Sequence, residues 1–74
     1  MTEFYKIRMV NGDEHITDID PKNLTGDWAI IRKYTRLLNY DGWEIIGYKK
    51  DGILHIRPAN IVSYTSFIDR RASE

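Results

Sequence analysis

Apolar and polar residues alternate through the first segment of the chain: Tyr5, Ile7 and Met9 stand in step, with Lys6 and Arg8 between them. A period of two is that of a half-buried strand, which the pattern predicts over residues 4–10. Asn11-Gly12 tolerates the positive φ of a two-residue type I′ turn, so residues 14–19 are expected to return as the second strand of a hairpin. Asp20-Pro21-Lys22-Asn23 ends it, because proline has no N–H for a ladder and Asp and Asn favour turns.

Over residues 28–39 the period changes. Ile30, Ile31, Tyr34, Leu37 and Leu38 fall within about 120° of one another at 100° per residue, which predicts an amphipathic helix of about three turns. Trp28 flanks that stripe, and Ala29, Arg32, Lys33 and Arg36 lie opposite it, giving the helix a positively charged outer face. Asp27 is the expected N-cap, with Asn39 and Gly42 as the stop.

Strand character resumes at residues 43–50, Asp51-Gly52 predicts a second hairpin turn, and residues 53–57 form a fourth strand with Leu54 and Ile56 on one face. Residues 58–60 break the run, residues 61–68 make the fifth strand, and residues 69–74 have the polar character of a frayed tail. The expected fold is α+β in the order ββαβββ: a mainly antiparallel five-stranded sheet or small barrel with one amphipathic helix, residues 1–74 forming one domain. Helix and strands must bury their apolar sides together, which places Ile31, Leu38, Ile45, Leu54 and Ile56 in the core.

Composition narrows the classes of function. A chain of 74 residues without cysteine has a core worth only roughly 3–5 kcal/mol and no disulfide to brace it. That favours a reducing, cytoplasmic setting and a homo-oligomer. Its apolar runs are far shorter than the roughly 20 residues that cross a bilayer, and the opening Met1-Thr2-Glu3-Phe4-Tyr5-Lys6 lacks the order of a signal peptide, so no membrane partner is expected. Eleven basic and eleven acidic residues cancel, which argues against a strongly cationic nucleic-acid binder and a polyanionic DNA mimic alike. The charges are nevertheless uneven: three basic against six acidic up to Ile31, eight against five from Arg32 onward.

Two stretches resemble known groups. Residues 51–64, Asp-Gly-Ile-Leu-His-Ile-Arg-Pro-Ala-Asn-Ile-Val-Ser-Tyr, resemble the last strands of SH3-like and Sm-like barrels of bacteria and phages, where a short turn joins two strands. Residues 37–46, Leu-Leu-Asn-Tyr-Asp-Gly-Trp-Glu-Ile-Ile, resemble a helix-then-Gly-Trp-Glu-aliphatic signature of small bacterial domains. Neither resemblance specifies a function.

No catalytic constellation is present: Cys is absent, the two His lie on different predicted strands, and Ser63, Ser66 and Ser73 have no Gly-x-Ser-x-Gly elbow. Glu14, His15, Asp18 and Asp20 cluster, yet their spacing matches neither a zinc nor a calcium pattern, and a solvated acidic edge explains them. Single, scattered glycines make turns, not a phosphate cradle. No enzyme and no cofactor is therefore expected. A surplus of aromatics, two Trp and five Tyr, suits a protein interface, so the chain reads as a macromolecule-binding module, a protein-binding regulator or inhibitor. The candidate binding residues are Trp28, Tyr40, Trp43, Tyr48 and Tyr64, with Arg32, Lys33 and Arg36. In the alternative reading those three cations meet RNA or DNA phosphates and the tyrosines stack on bases.

Overall fold

The computed structural model describes residues 2–69. They form one antiparallel sheet of five strands, β1 (Thr2–Met9), β2 (Glu14–Thr17), β3 (Ala29–Leu38), β4 (Ile45–Ile56) and β5 (Ile61–Asp69), in the spatial order β4-β3-β2-β1-β5. Two short 3-10 turns, Pro21–Asn23 and Pro58–Asn60, are the helical residues among those described; no helix there is long and apolar enough to cross a membrane.

The α+β expectation is corrected: the segment expected to be an amphipathic helix is β3. Its backbone pairs with β4 from Ala29↔Ile56 to Leu38↔Ile45. Burial follows the strand and not the helical stripe, with Ile31 1 % exposed while its neighbour Ile30 is 60 % and Leu38 49 % exposed. Leu38 therefore leaves the expected core. Ile30, Ile31, Tyr34 and Thr35 are β-branched or aromatic residues that suit a pleated surface, and about three turns of isolated helix are marginal without tertiary support.

Asp51-Gly52 is not a turn. Tyr34 faces Lys50 and Arg32 faces Ile53, so Lys33 alone opposes Asp51 and Gly52 together, the count of a β-bulge. Gly52 supplies the positive φ of +86°. A second shift, between Leu37↔Gly47 and Leu38↔Ile45, leaves Ile46 unmatched. The two expected strands of residues 43–57 are thus one bulged strand. Asn11-Gly12 does turn the chain, but through a three-residue loop: the Gly12 N–H donates to the Met9 carbonyl at 2.9 Å and the Met9 N–H to Asp13 at 2.8 Å. Gly12 alone has positive φ, +94°, which excludes type I′ and marks a type I turn closed by a bulge. Asp69, placed in the tail by the sequence, ends β5 and is buried; residues 70–74 lie outside the described residues.

The core has two parts. Ile7, Met9, Ile31 and Ile56 pack with Ile19, Leu24, Ala29, Leu54 and Ile61, and Phe4, Ile16 and Tyr48 pack with Tyr34, Ile45 and Phe67. Phe4 and Ile7 are three residues apart on one strand and so point to opposite faces. The first cluster is covered by the loop between β2 and β3, which contributes Ile19 and Leu24. The second closes because the sheet curls: Phe4 sits 4.8 Å from Tyr34, 5.0 Å from Tyr48 and 5.8 Å from Phe67, and Tyr48 on β4 lies 5.6 Å from Phe67 on β5. The bulge at Gly52 makes this possible. Tyr48, Leu54 and Ile56 would share a face in an unbroken strand, yet Tyr48 serves one cluster and Leu54 and Ile56 the other.

Candidate binding surface

The cations come first, because the strand scatters them. Arg32 and Lys33 are successive residues of β3 and point to opposite faces. Arg32 is also engaged: its Nε donates to Asp18 Oδ1 at 2.9 Å and Oδ2 at 3.0 Å, and the Tyr34 hydroxyl donates to Oδ2 at 3.2 Å. The hydrogen bonding of Arg32 to Asp18 and the Asp18 charge raise the Arg32 pKa above its ordinary value. Lys33 and Arg36 line a groove of about 350 Å³ at the splayed β2–β3 junction, where Glu14 and His15 form the opposite bank. There is no three-cation face, because there is no helix to present one.

The aromatics divide as well. Tyr48 is buried against Phe4 and Phe67 and is a core residue. Tyr64 lies on β5 with its ring 6.3 Å from that of Tyr5. Burial pushes the Tyr5 hydroxyl up to about 12, with its hydrogen bond to Glu3 and the charges of Asp20 and Glu3 adding to the effect. Trp28 and the pair Tyr40 and Trp43 stand at opposite ends of β3, about 30 Å apart at roughly 3.3 Å per residue.

At the Trp28 end lies a cleft of about 380 Å³, floored by Met9, Leu54 and Ile56 and rimmed by His15, His55 and Asn60. The Arg57 guanidinium covers the Trp28 indole at 5.2 Å, a cation–π contact that fixes the ring at the rim. The cleft brings both histidines to one place, which strand assignment alone did not suggest. They do not make a metal centre: no group of three His, Cys, Asp or Glu able to hold a metal occurs among the described residues.

The other end is the tip of the β3–β4 hairpin, and here the sequence missed the organising residue. Asn39 holds the loop closed from both sides. Its N–H donates to the Glu44 carbonyl and its carbonyl accepts from Gly42, each at 2.9 Å. Its Oδ1 accepts from the N–H groups of Trp43 at 3.1 Å and Glu44 at 3.4 Å. Gly42 takes φ +76° to complete the turn. The signal was available: Asn-x-Asp-Gly between two β-rich runs is hairpin chemistry, obscured by the helical reading of the residues before it. On this braced loop Tyr40 is 99 % and Trp43 90 % exposed. Leu38 and Ile46 flank them, both exposed, and Asp41 and Glu44 supply the loop's charge.

The chain matches no protein family, curated protein or solved structure with which it was compared.

Proposed function

We propose that the protein is a non-enzymatic, protein-binding module whose contact surface is the β3–β4 hairpin tip. The observation that carries this reading is the near-complete exposure of Tyr40 and Trp43 on a loop held by Asn39. Tyr and Trp offer large, stiff contact area at little conformational cost, and interfaces concentrate their binding energy on such residues. A loop already closed in the free protein also has less ordering entropy to lose on binding. Asp41 and Glu44 decide between partner classes. Two carboxylates beside the rings repel phosphates, so nucleic acid is disfavoured, whereas a protein with an apolar pocket and a basic rim fits. Action as a regulator or inhibitor by occupying a partner's pocket agrees with the lack of a catalytic set. The resemblance to SH3-like and Sm-like barrels belongs to the same proposal; the short turn it rests on corresponds to Pro58–Asn60, between the last two strands.

Affinity capture from an extract with and without nuclease treatment tests the reading, with wild type beside the Tyr40→Ala/Trp43→Ala double variant. A protein retained by wild type and lost with the variant, at unchanged melting temperature, is the expected outcome. Retention of nucleic acid alone, or equal capture by both proteins, would overturn it.

A further inference from the structure

The sheet has two edges, β4 and β5, and they are unlike. The β4 edge is interrupted by two bulges and carries Lys49, Lys50 and Asp51 in succession, features that block strand addition. The β5 edge has none of them along most of its length. From Ser63 to Asp69 it pairs with β1 without interruption, and between Ile61 and Ile68 it contains no charge and no proline. Val62, Ser63, Tyr64, Thr65 and Ser66 are all exposed, as is Ile68. An uncharged run of this kind, residues 62–68 on a strand at the edge of the sheet, is a template for another strand.

We infer that β5 pairs with β5 of a second copy of this chain, antiparallel and across a two-fold axis at Thr65. A two-fold perpendicular to the sheet requires each β5 residue to meet one of its own face, which centres the pairing on a single residue. Thr65 is the centre that suits the side chains. Thr65 then meets its own mate, Tyr64 meets Ser66, and Val62 meets Ile68, which covers two aliphatic side chains that are 61 % and 59 % exposed in the monomer. Thr–Thr and aliphatic pairs stabilise adjacent strands. A ring built by joining β5 to β4 is excluded by the β4 bulges and charges. The second copy is favoured over an unrelated strand because the exposed middle of the segment complements itself, Thr65 with Thr65, Tyr64 with Ser66 and Val62 with Ile68.

The absence of cysteine gives a direct test with the full chain. Directly opposed residues in an antiparallel pair have Cα atoms roughly 4.5–5.5 Å apart, within the disulfide range of about 4.4–6.8 Å. Thr65→Cys under mild oxidation is expected to yield a covalent dimer, and Lys49→Cys on the other edge is not. Sedimentation of wild type is expected to show a mass rising with concentration from 8.7 kDa towards twice that value. Thr65→Glu, which sets a carboxylate beside Lys6 in the monomer but opposes two like charges in the dimer, is expected to remain at the monomer mass with an unaltered melting curve at high dilution. A mass of 8.7 kDa at all concentrations, equal self-association of the Glu variant, or equal cross-linking through Lys49→Cys would overturn the inference.

Discussion

Phe4 and Leu38 are both large apolar residues in strands, and the structure gives them opposite weights. Phe4 is fully buried among three aromatic rings; Leu38 is half exposed at the end of β3. Phe4→Ala is expected to cost about 3–5 kcal/mol, comparable with the whole stability of so small a core, roughly 3–5 kcal/mol. The variant should be largely unfolded without denaturant. Leu38→Ala should lose less than about 1 kcal/mol, as partly exposed sites do. Urea titration followed by near-ultraviolet circular dichroism separates the two, and a loss above about 2 kcal/mol for Leu38→Ala would return that residue to the core. Tyr5 gives a test in pH. Its folded pKa of about 12 exceeds the ordinary 10.0, so above pH 10 the unfolded chain ionises while the folded one holds its proton. The stabilisation is complete below pH 10 and is lost between pH 10 and 12. Tyr5→Phe should decline less over that interval in pH-dependent melting, and parallel curves would contradict the burial of the hydroxyl.

At the level of elements, β1, β2 and β5 were legible because their alternation or β-rich composition is uninterrupted, while β3 and β4 were not. The reason lies in the two-sided core. Ile31 serves one cluster and Tyr34 the other, and the exposed Ile30 adjoins Ile31, so β3 loses the period of two by which a strand is recognised. The spacing of Ile31, Tyr34 and Leu38 then imitates a helix. In β4 the bulge reverses the alternation halfway, and Asp-Gly, usually a turn, marks the reversal. For the candidate site the sequence offers a surplus of aromatics, Tyr40 and Trp43 beside Trp28, Tyr48 and Tyr64, but not a place, because the loop that presents Tyr40 and Trp43 depends on β3 being a strand. Gly52 tests this account of β4. A Cβ there meets nothing within 4 Å, so Gly52→Ala should cost about 1–2 kcal/mol through its left-handed backbone alone. No loss in thermal unfolding would deny the bulge. Asn39→Ala, which leaves both tip aromatics in place, should weaken partner binding with little change in melting temperature, since it removes the bracing of the loop and not its contact area. Calorimetric titration with a captured partner checks it, and unchanged affinity would show that the bracing is irrelevant.

Across the whole molecule, β2 and β3 share a single paired position, Ile16↔Tyr34, so the β3–β4 ribbon is tied to the rest mainly by the two side-chain clusters. The ribbon's far end projects the tip away from the opposed cleft at Trp28, and Arg32 and Lys33 lie on opposite sides of the sheet. The proposed recognition surface is therefore Tyr40 and Trp43 and not a charged one. Trp43 reports on that assignment without further labelling, because the chain has only one other tryptophan, Trp28. In a Trp28→Phe protein, Trp43 emission should be that of a water-exposed indole and open to iodide quenching. Titration with the captured partner should shift the emission to the blue and protect it from iodide, saturating with the binding isotherm. Emission and quenching that stay unchanged at saturating partner would contradict the assignment of the hairpin tip as the binding surface.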